Sequence, residues 1–232
     1  MTVSIIIPTY NESKQIHRLL ASILKGKTAD ILEILVIDSK NSSDNLAEIL
    51  LDSEIRYVKS DFSSRASQMN FGASIATGDV LFFVHADTIL PSSYAGDIQK
   101  TLSSCHLGCF RAIIDSPSIL LKINSFFTRF PFLWCRGGDQ TLFVKKTIFN
   151  ELGLYNEKFV IMEEYDFLRR ALVKYKLGIV EKSVLVSARK YENNKFWKIQ
   201  WANFVAMRMF FKGRHSPKEI KDRYTQILDL EY

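Results

Sequence analysis

Arg65 to Thr88 reads RASQMNFGASIATGDVLFFVHADT, and this stretch decides the fold. Arg65–Ile75 predicts a helix, with Met69, Gly72, Ala73 and Ala76 on a face of small residues. Val80–Val84 (VLFFV) is a short apolar run and predicts a strand. That strand delivers His85-Ala86-Asp87-Thr88 into polar chain. The same alternation extends upstream. Ile55–Lys59 predicts a strand before the helix. Ile34–Asp38 (ILVID) predicts a buried strand, followed by a polar loop and a helix near Asp44–Leu51. Val3–Pro8 (VSIIIP) predicts the first strand, and Ile16, Leu19, Leu20, Ile23 and Leu24 then recur at helical spacing. Four strands alternating with helices predict an α/β fold: an open, mostly parallel twisted sheet flanked by helices.

Right-handed crossovers place the C-terminal ends of such strands along one edge, and ligands bind outside them. Pro8-Thr9-Tyr10-Asn11-Glu12, Asp38 with its loop to Asp44, Asp61 with Arg65, and His85–Thr88 all fall at that edge. Asp87 is the sharpest candidate. A carboxylate after an apolar strand suits Mg²⁺ or Mn²⁺, which take oxygen ligands and share them with substrate phosphates. His85, two residues earlier, lies on the same side of an extended chain and could add an imidazole ligand. The plain alternative is an Asp-Thr turn. The chain has neither a P-loop nor a GxGxxG run, so metal and arginine would have to neutralise any diphosphate. Glu163, Glu164 and Asp166 gather at a helix start. Their repulsion raises a pKa, while the helix dipole opposes it. A capping cluster before Arg169-Arg170 is the simpler account of them.

The second half is less regular. Gly108–Ile114 and Thr141–Val144 predict strands. Ile119–Phe130 predicts a helix stopped by Pro131, and Glu163–Tyr175 predicts another. Phe196–Phe211 carries 12 apolar residues in 16, ringed by Lys195, Lys198, Arg208, Lys212 and Arg214. We divide the chain into a domain at 1–190 and a C-terminal helical extension at 191–232. The extension is expected first to pack on the domain or on a second copy as a homodimer. Its second expected role is peripheral membrane contact.

With 232 residues, 47% hydrophobic and 24% charged, the chain is neither disordered nor collagen-like, and it needs no disulfide staple. Its net charge of +6 lies mainly in the second half, dispersed and without a nucleic-acid motif, so no nucleic-acid partner is expected. Cys105, Cys109 and Cys135 form no CxxC pair and read as buried thiols in a reducing cytoplasm. No apolar stretch is long enough to span a bilayer, and the start does not read as a signal peptide. The expected location is cytoplasmic, with the inner membrane face as its peripheral variant.

PTYNE after the first strand, VID after the second, RASQMNFGASIATGD and VHADT resemble a family 2 glycosyltransferase of the GT-A, Rossmann-like fold. With Gly138-Asp139-Gln140 and Met162–Asp166, the chain is similar to the radical-SAM/selenodomain-associated subgroup. The resemblance covers residues 1–190. It implies a metal-dependent, inverting transfer of a sugar from a nucleoside-diphosphate donor, typically UDP-linked, to an acceptor hydroxyl. It also implies the roles of particular residues. Pro8, Thr9 and Glu12 border the nucleotide, and Asp38 accepts from the base N–H. Arg65 approaches the base or diphosphate. Tyr10, Asn70, His85 and Ala86 complete the donor set. Asp87 is the metal ligand of the acidic motif, and Asp79 is structural. Glu163-Glu164 is the acidic pair whose second member is the base, and Asp139 contacts the acceptor or the sugar. Three departures stand out: His85 replaces the first acid, the loop after Asp38 has an extra residue that bears on Asp44, and Glu164 replaces an aspartate. A lipid or lipid-linked acceptor would suit the aromatic tail. The competing readings are a nucleotidyltransferase, for which PTYNES lacks the Gly-rich basic loop, and a nucleotide binder without turnover.

Overall fold

The computed structural model describes residues 1–51, 54–137, 140–192 and 194–229. Eight strands are formed: β1 (Val3–Thr9), β2 (Ile31–Asp38), β3 (Arg56–Lys59), β4 (Val80–Phe83), β5 (Thr88–Ile89), β6 (Leu107–Ile114), β7 (Leu142–Lys145) and β8 (Leu177–Val186). The helices are α1 (Ile16–Gly26), α2 (Leu46–Leu50), α3 (Arg65–Ile75), α4 (Tyr94–Leu102), α5 (Ile119–Phe127), α6 (Lys146–Glu151), α7 (Glu163–Ala171), α8 (Arg189–Glu192), α9 (Phe196–Lys212) and α10 (Pro217–Leu228). The strands make one sheet in the order β3-β2-β1-β4-β7-β6-β8-β5.

The first half follows the expected alternation. β1 pairs parallel with both β2 and β4, and β2 with β3. The second half is mixed. β7 runs antiparallel between β4 and β6, β8 joins β6 in parallel, and β5 closes the far edge antiparallel to β8. Sequence reading passes over α4, β5, α6 and β8 altogether. The helix expected over Ile119–Phe130 ends at Phe127, and the one expected to Tyr175 ends at Ala171.

β1 is buried at every position because both of its faces are covered. Val3, Ile5 and Ile7 pack with Ile16, Leu19 and Ile23 of α1. Ile6 faces the other way, against Ala66, Met69 and Ala73 of α3. Period-2 alternation thus builds two cores around one strand. α3 lies close to the sheet because position 72 is glycine. A Cβ there would stand 2.5 Å from Ile6 Cγ2 and 3.1 Å from Ile37 Cγ1. Both neighbours are buried, β-branched residues of central strands and have little room to yield. Gly72→Val should cost about 3 kcal/mol, the upper end of overpacking penalties. Urea unfolding will read this, and an unshifted midpoint would refute the close contact.

The extension packs on the chain itself through one face. Ile199 and Ala202 of α9 meet Leu228 of α10. Ala206, Phe210 and Ile220 enclose Phe159 beside Ile161, Met162 and Tyr165, the segment that enters α7. The three cysteines are free and buried.

Candidate active site

The site lies where β1 and β4 end. Gln68 of α3 fixes the floor by donating from Nε2 to the Thr9 and Ile37 carbonyls at 2.8 and 2.7 Å, tying the ends of β1 and β2 together. Ser64 caps α3 by accepting from Ser67 N, which sets Arg65 at the helix start. Pro8, Thr9, Tyr10, Glu12, Arg65, Gln68, His85, Ala86, Asp87 and Arg189 wall a cleft of about 250 Å³. All but Gln68 and Arg189 were anticipated from sequence.

Behind the cleft runs a chain of charges. Arg65 Nε stands 2.8 Å from Glu163 Oε1, an ion pair off the hydrogen-bonding direction. Arg65 Nη1 lies 3.4 Å from Nε2 of His85, and that same ring nitrogen lies 3.4 Å from Glu164 Oε1. The two glutamates differ in environment. Glu163 has no exposed surface, and burial pushes its carboxyl pKa up despite Arg65. Glu164 keeps 8% of its surface, and contacts with His85 and Arg65 outweigh burial to hold its pKa down. Glu164 is therefore the more acidic and the less enclosed of the pair, and neither glutamate lines the cleft itself. The pair is aimed by Met162, a left-handed residue (φ 71°) immediately before α7.

The remaining candidates fall in different places. Asp38 is buried behind the wall, where its carboxylate accepts from Thr9 Oγ1 (2.9 Å), Tyr57 OH (3.0 Å) and Lys59 Nζ (2.9 Å). Asn70 does not line the cleft. Its amide donates to the Tyr155 carbonyl and to Glu157, and its oxygen accepts from Tyr155 N, which fixes the chain that leads into α7. Asp79 sits at the opposite sheet edge, accepting from Thr2 N and Oγ1. Asp44 accepts from Ser13 N and so anchors the loop before α1. Asp139 lies outside the described residues.

Arg189, like Gln68, is a site member that sequence reading misses. Its guanidinium grips Glu12 at 2.8 and 3.2 Å across the cleft mouth. Only its membership of a basic run was visible in the sequence, because its partner lies 177 positions away.

Among the described residues no three His, Cys, Asp or Glu side chains converge on a common point. His85 already faces the Arg65 guanidinium, and Glu12 is taken by Arg189. The donor set therefore fits a divalent cation shared between Asp87 and substrate phosphates, rather than a cage made by protein alone.

The family model described as "Glycosyl transferase family 2" matches residues 4–148. A curated relative from Rickettsia felis, an "Uncharacterized glycosyltransferase", is 23% identical over 229 residues, which cover 88% of this chain and 38% of the relative. The chain thus spans well under half of that relative's length. S. aureus TarS 1-349 in complex with UDP-GlcNAc superposes with a TM-score of 0.67 at 13% identity, covering 98% of this chain and 72% of that one. The mannosyltransferase PcManGT from Pyrobaculum calidifontis, in complex with GDP-Man and Mn²⁺, gives 0.66 at 19% identity, covering 98% and 68%. These likenesses identify the fold as GT-A.

Proposed function

The chain belongs to glycosyltransferase family 2, and from that premise we propose that it transfers a sugar, with inversion, from a nucleoside-diphosphate donor to an acceptor hydroxyl. The observation that carries the reading is the Arg65–His85–Glu164 chain, set directly behind a cleft that holds Asp87. The residues Arg65–Pro91, Gly138–Gln140 and Met162–Asp166 favour the radical-SAM/selenodomain-associated subgroup.

The donor's diphosphate enters between Arg65 and Arg189, the two guanidiniums of the cleft wall. Thr9, Tyr10 and Glu12 border the nucleoside, UDP by preference. Asp38, assigned by the resemblance to the base N–H, is buried behind the wall, where it holds Thr9 in place at the nucleoside edge. Asp87 would hold a divalent cation, Mn²⁺ or Mg²⁺, which would supply positive charge against the leaving diphosphate. Glu164 accepts the proton of the acceptor hydroxyl as that oxygen attacks the anomeric carbon. Glu163 and His85 hold Arg65 and Glu164 in place. One base and no covalent nucleophile give a single in-line displacement, hence inversion. Asp139 is assigned to the acceptor or the sugar. Free buried thiols favour a reducing cytoplasm as the place of work.

A panel of UDP- and GDP-sugars with Mn²⁺ tests the reading. We expect slow release of nucleoside diphosphate with at least one donor, abolished by chelation. Release of pyrophosphate would replace it with a nucleotidyltransferase. Tight nucleotide binding without release across the panel and a range of acceptors would make the chain a binding module.

A further inference from the structure

α5 turns its apolar side to solvent. Ile119, Leu120, Ile123, Phe126 and Phe127 fall on one helical face and are all exposed, Ile119 at 73% and Ile123 at 52%. Its inward side buries Leu121 and is otherwise polar: Ile114 N donates to Ser125 Oγ, and Ala112 N to Thr128 Oγ1 just past the helix end. A helix of a water-facing domain has the opposite arrangement. Just beyond it, Phe132 and Trp134 stack at 5.8 Å, and both are more than half exposed. α9 repeats the pattern. Its inner face is Ile199, Ala202, Ala206 and Phe210, while Trp197 (70% exposed), Trp201, Phe204 and Phe211 share the outer face with Arg208. The two arrays are joined, since Asn124 donates to Tyr191 OH at 3.3 Å and Tyr191 stacks on Phe196 at 6.2 Å.

The charge on these segments has one sign. Residues 116–138 and 193–218 contain no aspartate or glutamate. They carry the exposed cations Lys122, Arg129, Lys195, Arg208, Lys212 and Arg214. We propose that this α5–α9 surface docks on a lipid bilayer bearing anionic headgroups. Aromatic side chains would sit at headgroup depth, with the cations reaching lipid phosphates around them. A second copy fits less well, because a two-fold contact would set this basic rim against itself. Among the described residues no helix is long and apolar enough to cross a membrane, so the contact lies in the interface plane. This inference does not rest on the proposed chemistry.

All three tryptophans of the chain, Trp134, Trp197 and Trp201, stand on this surface and report on it. The 232-residue chain is mixed with vesicles of equal parts phosphatidylcholine and phosphatidylglycerol. Emission should shift to shorter wavelength, and the protein should sediment with the vesicles, less so at high salt. Vesicles of phosphatidylcholine alone should bind far less. The triple change Trp197→Ala, Trp201→Ala, Phe204→Ala should lower vesicle partition by roughly tenfold or more. Ile123→Ser with Phe126→Ser should do the same from α5. These side chains face solvent, so circular dichroism should be unchanged. Absence of binding, equal binding to both vesicle types, or partition indifferent to both sets of changes would overturn the proposal. So would a dimer in solution that these changes dissociate. Nucleoside diphosphate release from a soluble donor is read separately, so either idea can fail alone.

Discussion

Glu164→Gln should lower turnover at saturating donor by about 10²–10⁴-fold, the usual worth of a positioned base, while donor affinity stays within about twofold. The amide keeps the size and one oxygen of the carboxylate, so it can still face His85 Nε2, which lies 3.4 Å from Oε1 in the native chain. It loses the ability to take up a proton. Glu163→Gln serves as the contrast. Glu163 has no exposed surface and is paired with Arg65, so its replacement should disturb Arg65 and weaken donor binding as well. Steady-state kinetics alongside isothermal titration of nucleoside diphosphate will separate the two. Near-normal turnover in the Glu164 variant would move the base elsewhere in the site.

Asp87→Asn should have the second large effect, on binding rather than on proton transfer. In wild type, donor affinity with Mn²⁺ should exceed affinity with chelator. In the variant that difference should collapse, with loss of at least the roughly 10–100-fold that changes to a metal ligand's supporting groups already cost. The expectation follows from Asp87 being the cleft-wall carboxylate that feels Arg189 only through its charge, whereas Glu12 is gripped by it directly. His85→Asp is the informative partner change. It restores a second acid two residues before Asp87 but places it where Arg65 now meets the imidazole. An unaltered Mn²⁺ dependence in Asp87→Asn would take Asp87 out of the metal site.

The parts of the fold legible in the sequence were those with one local cause. Val3–Pro8 and Val80–Val84 read as strands because a strand covered on both faces is apolar at nearly every position, Ser4 being the exception and hydrogen-bonded to Glu33. β8 escaped notice because LGIVEKSVLV breaks its alternation at Glu181-Lys182, both exposed, where its pairing with β6 also shifts register. α4 (YAGDIQKTL) does carry a stripe in Tyr94, Ala95, Ile98 and Leu102, all buried, so nothing in its pattern hides it. That β7 slots between β4 and β6 depends on which distant segments meet, and no local pattern records that. The site divides in the same way. His85, Asp87 and Glu164 could be named from short motifs. Asn70 sits in such a motif, yet its amide is spent on Tyr155 and Glu157. Arg189 carried no motif, and only the folded chain brings it to Glu12.

The Arg189–Glu12 clasp also bears on how the molecule can be taken apart. A division at residue 190 cuts through α8 directly after the guanidinium that closes one side of the cleft. Trimming the chain at the end of β8 would spare every strand and still remove the guanidinium that grips Glu12 at the cleft. The smallest fragment worth expressing therefore ends beyond Glu192, with the sheet and its clasp kept together.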